Sequence, residues 1–536
     1  MTALLCALLL AAPKADLREL AGEAEAQLEA WDVPGASRAV DELVHGFPDS
    51  PEAAYYRGRV LFEQGKYAEA VKEYEEATQR GATPGTFDSL AHRGQTVVEN
   101  DTRLARAALE ETKGDEVFES EHFTLRTRPG KDTLLAPYAL AALEKAYAGL
   151  TKDLGVTPPA KIRVEVYDSA KSLAHVSPLT VEQIKASGTI ALCKYSRLMI
   201  TSPKALLRGY PWLDTLSHEF VHYLVTQKGR NAVPIWLQEG LAKFLETRWR
   251  GPPGMAVDEM QLQLLQDAAR KKQLIPFARM HPSIAMLPTQ EQAALAFAEV
   301  EAAMRLLYQR GGQQALTELV SAMAAGMSDE QAVAQAYGKS FQEFEADWRV
   351  EVAKPRAKVA SQKSVRPQVA KKLVFKEDAK GKTEPPDLQT QPAHGRELED
   401  PEAKKAIQLG EIFYARRRWA AAAHEYGRAR ARLPRDIPTI SRRYAFSEAR
   451  MGNYAAAESA LARAVEADPE DEAAQSLYGA VLKELKKFDQ AKIALDKGIA
   501  VDPFDPELHL VYEQLARTLN DNALAEREHK AYVLSK

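Results

Sequence analysis

The amino-acid sequence predicts a multidomain, mostly α-helical protein in which helical repeats at both ends flank a central α+β domain. Three observations lead to this fold class. Small and aromatic residues recur about every 34 residues near both ends of the chain. Between the two repeat regions, short stretches alternate apolar and polar residues, as strands do. A His-Glu-x-x-His motif lies in the same central region, on a stretch with helical apolar spacing.

Length and composition set broad limits on the protein. A chain of 536 residues is long enough for three or four domains. Charged residues make up 27% and the formal net charge is −4, so the composition predicts no nucleic-acid binding. The chain contains only two cysteines, Cys6 and Cys193, which excludes a disulfide framework and a cysteine-ligated structural zinc site. We expect Cys193 to be a small packed residue rather than a ligand or nucleophile.

The chain begins with a short apolar run. Residues 1–14 are too few to cross a bilayer as a helix, and no other stretch predicts a transmembrane span. The run resembles the apolar core of a secretory signal peptide, with small residues for cleavage between Ala12 and Ala15, but the usual positive charges before it are missing. We therefore predict export to the periplasm or beyond the cell. The alternative is the apolar start of a cytoplasmic helix.

Residues 15–113 are predicted to form helical repeats. In the clearest unit, which begins at Pro51, small residues let two antiparallel helices approach and tyrosines fill the space between them. These positions are Gly58, Tyr67, Ala70, Tyr74 and Ala77. The pattern resembles the tetratricopeptide repeat. A weaker copy precedes it, and a degenerate third helix pair is expected over residues 85–113.

The same repeat returns more strongly over residues 401–536, as three full units and a partial unit from Pro506. Its recurring small positions are Gly410, Ala422, Ala429, Ala445, Ala457, Ala464, Gly479, Ala491 and Gly498. The resemblance to tetratricopeptide repeats implies a concave surface for a peptide or protein partner. The preceding residues 354–400 are rich in lysine and proline and poor in apolar residues, which predicts a solvated, flexible linker.

Residues 114–353 are predicted to form the central α+β domain. Four short segments have strand character: residues 122–127, 161–167, 188–193 and 197–201. A helix over residues 134–154 is expected between the first two. Later segments with helical spacing are expected to complete the domain: residues 255–272, 291–309, 315–323 and 340–352, with Gly311-Gly312 breaking the second from the third.

The His-Glu-x-x-His motif points to metal chemistry. His218 and His222 are four residues apart, so a helix places both imidazoles on one face, where they can bind one metal ion. Glu219 lies about 100° round the helix, close enough to handle a metal-bound water. The spacing therefore predicts a zinc site with Glu219 as general base.

A third ligand is expected from the next helix. Gly229 ends the motif helix and Pro234 begins another, which should run to about Arg250 and fold back against the first. Glu239 falls in its first turns. Three protein ligands with one open position are the arrangement of catalytic zinc. An ordinary solvent-facing Glu239 is the alternative.

These residues carry a family resemblance. The motif, followed by Pro234-x-Trp236-Leu237-x-Glu239-Gly240-Leu241-Ala242-x-Phe244, resembles the gluzincin-type zinc metallopeptidases of the peptidase MA-like group. The resemblance extends loosely over residues 115–350 and implies a zincin-like fold. It also implies Zn²⁺ bound by His218, His222 and Glu239, with Glu219 as general base. In such folds an edge strand binds an extended peptide along the cleft. Arg197–Thr201 is the candidate for this edge strand. The alternative, which is equally favoured, is that Arg197–Thr201 is an ordinary core strand.

Two positions depart from the family pattern. Lys243 stands where thermolysin-like members often carry an Asp that supports a ligand histidine, and Phe297-Ala298-Glu299-Val300 stands where relatives often show Tyr-x-x-Ser. These two positions therefore supply neither the acid that would support the histidine nor a hydroxyl that would stabilise the oxyanion. Other residues with a donor group are His122, His175, His281, Tyr210 and Tyr223. Each histidine is expected to be a surface or packed residue, and Tyr223 to pack on the helix.

Two functions follow from these patterns. The first is a zinc-dependent peptidase that hydrolyses peptide bonds, with repeats that recruit substrate or partner proteins. The alternative is a catalytically weak or inactive zincin-like scaffold for protein–protein interaction, which the missing hydroxyls motivate. The third interpretation is that the His-Glu-x-x-His motif occurs by chance in a purely helical repeat protein, which would require no metal.

Overall fold

The computed structural model of the chain is mostly helical and contains a five-stranded sheet. It describes residues 16–81, 96–254, 259–280, 283–284, 287–354, 376, 400–433 and 436–536. The predicted signal sequence, nearly all of the predicted linker and His281 lie outside the described residues. Among the helices of the described part, none combines the length and apolar composition that a membrane span requires.

Where the structure describes the residues before the sheet, they form five helices, which we call the N-terminal array. They are α1 (Leu17–Glu29), α2 (Val33–Gly46), α3 (Pro51–Glu63), α4 (Tyr67–Gln79) and α5 (Thr96–Glu111). The first four pack as two hairpins, α1 with α2 and α3 with α4. A Cβ on Gly58 would lie 2.7 Å from the ring of Tyr74, so glycine is what allows α3 to approach α4. Of the third helix pair expected over residues 85–113, residues 85–95 lie outside the described residues.

The central sheet has the strand order β1-β2-β3-β5-β4. Its strands are β1 (Glu116–Glu119), β2 (Phe123–Thr127), β3 (Ile162–Tyr167), β4 (Ala191–Lys194) and β5 (Arg197–Thr201). The middle strands β2, β3 and β5 run parallel, whereas β1 and β4 are antiparallel to their neighbours. The hairpin between β4 and β5 turns on Tyr195 and Ser196, both with positive φ, at 57° and 49°.

Of the two alternatives left open for Arg197–Thr201, the structure shows the core strand and not the edge strand. β5 lies between β3 and β4, and all five of its residues are buried. The tight hairpin folds β4 back along the outer side of β5, so β4 becomes the edge of the sheet. The order of the strands along the chain does not show which of them forms the edge, because either strand of a hairpin can pair with the rest of the sheet.

Nine helices complete the described part of the central domain. They are α6 (Leu135–Leu154), α7 (Ala170–His175), α8 (Val181–Ser187), α9 (Trp212–Gly229), α10 (Ile235–Leu245), α11 (Glu259–Lys271), α12 (Gln290–Ala324), α13 (Asp329–Tyr337) and α14 (Phe341–Ala353). The expected break at Gly311-Gly312 is a kink within α12, where Gly312 has φ 60° and ψ −152°. Helix α10 ends at Leu245, earlier than expected. Phe344 and Trp348 of α14 are buried, as core residues should be.

The chain ends in four helix pairs, which we call the C-terminal array. Its helices are α15 (Pro401–Ala415), α16 (Trp419–Arg432), α17 (Pro438–Arg450), α18 (Tyr454–Ala467), α19 (Glu472–Glu484), α20 (Phe488–Ile499), α21 (Pro506–Thr518) and α22 (Asn522–Ser535). The last two pairs share the main core with the central domain. The first two pairs have small cores of their own.

The N-terminal array covers one face of the sheet through a buried polar network. Arg197 of β5 is fully buried, and its guanidinium lies 2.9 Å from the Glu165 carboxylate of β3. The Tyr67 hydroxyl of α4 donates to Glu165 and accepts from Arg197 and Arg163. Burial alone would raise the pKa of Glu165, but Arg197 and Arg163 lower it below its ordinary value. The charged pair is thus closed off from water by a tyrosine of the array.

The C-terminal array contacts the start of α9. The Trp212 indole N–H donates to the carbonyl oxygen of Ile499 at 2.8 Å. The backbone N–H groups of Trp212 and Tyr210 donate to the carbonyls of Ala500 and Val501, both at 3.1 Å. The residues at the end of α20 therefore accept hydrogen bonds from the start of the motif helix. A second contact of the C-terminal array joins the buried Glu528 carboxylate to the Tyr138 hydroxyl of α6, at 3.0 Å.

We predict that Glu165→Ala destabilises the protein strongly. The substitution leaves the buried Arg197 without its carboxylate, and loss of one partner of a buried ion pair costs about 3–5 kcal/mol. The matched control is Glu119→Ala on β1, whose ion pair with Lys161 is solvent-exposed and is expected to contribute at most about 1 kcal/mol. Urea unfolding of both variants measures the difference. Equal losses would show that the network does not stabilise the interface.

Candidate active site

Helix α9 places the two motif histidines on one accessible side. Leu216, Phe220 and Leu224 are fully buried on the core side of this helix. Its last turn closes at Gly229, and Arg230 follows in the left-handed conformation. His218 and His222 keep 15% and 12% of their side chains exposed, so both rings remain partly accessible.

Helix α10 brings Glu239 to the same place. Trp236, Leu237 and Leu241 are buried and anchor the helix. At Gly240, a Cβ would lie 3.0 Å from the carbonyl oxygen of Val300 on α12, so glycine permits a close approach of the two helices. The neighbouring Glu239 then projects toward α9 instead of into solvent.

The three side chains converge with the spacing of a metal site. The two Nε2 atoms of His218 and His222 are 3.2 Å apart. Glu239 Oε2 lies 3.4 Å from the first and 3.6 Å from the second. Ligand atoms about 2.0–2.1 Å from a tetrahedral zinc ion are separated by about 3.3–3.4 Å. The donor set and its spacing therefore fit zinc, with a fourth position left for a non-protein ligand.

The charges around the histidines favour a cation. Burial alone would lower the pKa of His218, but hydrogen bonds with Glu239 and Glu246 raise it to about 10. Burial raises the pKa of Glu239, and the two histidines more than reverse this, leaving it well below the ordinary range. The carboxylates of Glu239 and Glu246 thus favour a positive charge at His218, and either a proton or a metal ion can supply that charge.

Glu246 supports His218 from behind, and the sequence analysis missed it. Its Oε2 lies 3.2 Å from His218 Nδ1, and its Oε1 accepts from Lys243 Nζ at 2.7 Å. The expected supporting acid, four residues after Glu239, is replaced by this Lys–Glu pair. Glu246 follows Glu239 by seven residues, two helical turns, so it lies on the same side of the helix. That spacing is the signal that could have identified it.

Glu219 lies beside the edge strand of the sheet. Its carboxyl is largely buried, and burial raises its pKa, while His222 and His218 act in the opposite direction. A backbone hydrogen bond with Cys193 of β4 also lowers it. Cys193 is half-buried, and this burial raises the pKa of its thiol well above the ordinary value. The backbone of β4 therefore lies next to Glu219.

The other donor residues singled out in the sequence are engaged elsewhere. The Tyr210 hydroxyl donates to the carbonyl of Thr201. Tyr223 is buried against Trp31 of the N-terminal array. His122 Nδ1 pairs with Glu144 at 2.7 Å, and His175 Nδ1 with Glu111 at 3.0 Å. These four residues do not supply an oxyanion donor in this conformation, and His281 lies outside the described residues.

The central domain matches a known family. Residues 142–354 match the model described as the Peptidase MA superfamily. The chain carries a Peptidase MA superfamily domain. The match includes α9 and α10 and begins within α6, and β1 and β2 of the same sheet precede it. The Peptidase MA domain indicates a peptidase, of a superfamily whose members are generally metal-dependent.

Tetratricopeptide repeats flank this domain at both ends. Residues 7–85 and 449–515 match two tetratricopeptide repeat models, which indicates protein partners. No curated protein matches the chain. Among solved structures, the crystal structure of the APC/C hetero-tetramer Cut9-Hcn1 is matched at 12% identity and a TM-score of 0.23, over 98% of this chain and 94% of that chain. That TM-score is too low to compare the two architectures.

Residues 297–300 of α12 include no serine, threonine or tyrosine. Val300 is buried against Gly240, and Glu299 is fully buried. The Glu299 oxygens accept the Ile275 backbone N–H at 2.9 and 3.2 Å. Burial raises the pKa of Glu299 to about 8, despite this hydrogen bond and the charge of Arg349. Glu299 therefore links α12 to the segment after α11.

We predict that Glu299 makes stability depend on pH. Its folded-state pKa lies above the unfolded value, so the unfolded state ionises first and stability falls as pH rises from about 4.5 toward 8. Glu299→Gln removes this dependence. The variant should match wild type near pH 5 and be more stable at pH 8, by about 1–3 kcal/mol. Urea unfolding at both pH values, with the exposed Glu291→Gln of the same helix as control, tests this. A wild-type pH profile in Glu299→Gln would contradict it.

Proposed function

We propose that the Peptidase MA domain is a zinc-dependent peptidase and that the flanking arrays bind substrate or partner proteins. His218, His222 and Glu239 would hold the zinc ion, and Glu219 would act as general base. The single observation that carries the proposal is the convergence of one oxygen and two nitrogen donors within 4.8 Å of one another, next to a buried carboxylate.

The chemistry follows from the positions of these side chains. Zinc bound in such a site supplies Lewis acidity, which makes water a nucleophile near neutral pH. Glu219 takes the proton of the attacking water and delivers it to the leaving amine. Its partly desolvated carboxyl is suited to this role, because burial raises its pKa and makes it a stronger base. Glu246 orients His218 by accepting from Nδ1, which leaves Nε2 free to bind the metal.

An extended peptide fits the edge of the sheet. β4 pairs with β5 on one side only, and its backbone at Cys193 approaches Glu219. A substrate that adds a strand to this edge would carry its carbonyl groups past Glu219 and the two histidines. β4, and not the candidate strand β5, is therefore the proposed substrate strand.

A scaffold without turnover is the second candidate. It is favoured by one observation: Tyr210 and Tyr223 make other contacts, and Phe297 and Val300 carry no hydroxyl. A domain of this kind would bind metal and peptide but lack a donor for the oxyanion. Removal of the proposed base separates the two candidates.

We predict that Glu219→Gln abolishes peptide hydrolysis while zinc remains bound. Loss of a general base costs about 10²–10⁴-fold in kcat. His222→Ala and Glu239→Ala should instead lose the metal. Zinc content by atomic emission and cleavage of a denatured casein substrate measure both properties, and circular dichroism checks folding. Turnover unchanged in Glu219→Gln would exclude this residue as base. Turnover absent from zinc-loaded wild type would favour the scaffold.

We predict that Glu246→Ala lowers zinc affinity by about 10–100-fold, because a supporting carboxylate fixes the ligand imidazole and raises its basicity. Glu246→Gln should fall between this variant and wild type, since its amide oxygen can still accept. Competition with a chelator measures the affinity. Glu301→Gln is the control, since its carboxylate pairs with Arg305 instead of a histidine. Wild-type affinity in Glu246→Ala would show that His218 needs no such support.

A further inference from the structure

The first two helix pairs of the C-terminal array are separate from the rest of the described core. Helices α15–α18 form two small apolar clusters, the second of which also includes Val481 of α19, whereas the rest of α19–α22 packs into the main core with the Peptidase MA domain. The first two pairs therefore present surface that the described part of the chain does not cover.

These two pairs carry charge of opposite sign to the pairs that follow. Residues 400–467 contain thirteen Lys or Arg and eight Asp or Glu, a formal charge of +5. Residues 468–536 contain nine and fourteen, a formal charge of −5. The separation places positive charge on the uncovered part of the array. A surface of one sign attracts partners of the other sign over about one Debye length.

Half-buried aromatic side chains lie within this positive surface. The rings of Tyr414, Trp419 and Phe446 pack on one another, with each pair of centroids 5.4 Å apart. They connect the end of α15, the start of α16 and the middle of α17. Large aromatics that stay partly exposed on a repeat surface are typical of binding sites for other proteins.

Arginines surround the aromatic cluster. The Arg443 guanidinium lies 4.4 Å from the centre of the Tyr414 ring, and Arg450 lies 5.7 Å from that of Trp419. Arg416, Arg417 and Arg418 are all exposed in the turn between α15 and α16, and they form no ion pair with the described residues. We call these eight residues the arginine–aromatic patch: Tyr414, Arg416, Arg417, Arg418, Trp419, Arg443, Phe446 and Arg450.

We propose that the arginine–aromatic patch binds an acidic peptide segment of a partner protein, one that also carries an apolar or aromatic side chain. Guanidinium groups bind carboxylates through paired hydrogen bonds. The half-buried rings offer an apolar contact beside them. This inference extends the partner-binding part of the proposed function and rests on it, but it does not depend on the metal.

A peptide fits the patch better than a nucleic acid does. Single-stranded nucleic acids need open aromatic faces on which bases stack. Here the Tyr414 and Trp419 rings already carry an arginine over one face and another ring against an edge. Arg443 also has a carboxylate near it, Glu411 at 3.7 Å, so the patch accommodates carboxylates beside its own arginines.

Binding of a labelled peptide to the full-length protein tests the proposal. The probe is a fluorescein-labelled peptide of three Glu-Asp-Glu-Phe repeats, measured by fluorescence anisotropy at low salt. We expect binding that weakens with added salt. The same peptide with Ser in place of Phe should bind more weakly, since it leaves the rings uncovered. A uridine dodecamer serves as the competing nucleic-acid probe.

The decisive variant is Arg416→Glu with Arg450→Glu. It should weaken peptide binding by at least about tenfold, because two attractions become repulsions. The matched control, Lys497→Glu with Lys530→Glu, makes the same charge change on α20 and α22 and should bind as wild type does. Melting curves confirm that both fold.

Three results would overturn the proposal: equal weakening in both double variants, no weakening in either, or tighter binding of the uridine dodecamer than of the peptide. The metal site is tested separately. His222→Ala should lose zinc and keep peptide binding, and Arg416→Glu with Arg450→Glu should keep zinc. Failure of the patch and failure of the peptidase proposal are therefore distinguishable.

Discussion

The distance between helices α9 and α10 is the constraint on which the site depends. His218 and His222 share a face of α9 by helical geometry alone, but Glu239 joins them only if α10 lies at the right separation. Several contacts maintain that separation. Gly240 lets α10 pack closely on α12, and Asp214 of α9 accepts from Trp249 at 2.8 Å beyond the end of α10. An error of about 1 Å in such a site is enough to lose most of its chemistry.

The two arrays contribute to this constraint as well as to partner binding. The N-terminal array closes the buried Arg197–Glu165 pair with the hydroxyl of Tyr67. The C-terminal array accepts hydrogen bonds from Tyr210 and Trp212, where α9 begins. Backbone carbonyls at the end of a helix are strong acceptors that need partners, and the start of another helix supplies free donors. The contact is therefore favourable for both elements, and it makes the last repeats part of the domain's structure.

This arrangement divides the C-terminal array into two parts with different roles. The last two helix pairs are committed to the Peptidase MA domain, with Glu528 buried beside Tyr138. The first two pairs are left with their own small cores and a positive surface. A partner held on the first pairs would be connected to α9 through stacked helices. Repeat arrays transmit position in this way because each pair contacts its neighbours.

The sequence by itself determined the periodic features of this protein. The repeats, the histidines at i and i+4 and the helix that carries Glu239 all follow from local spacing, because helical periodicity acts over a few residues. Only the tertiary structure decided which strand forms the sheet edge, since a hairpin can place either strand outside. It also decided that both arrays pack on the domain. These contacts join residues far apart in the chain, such as Trp212 and Ile499, and local patterns carry no information about which distant surfaces meet.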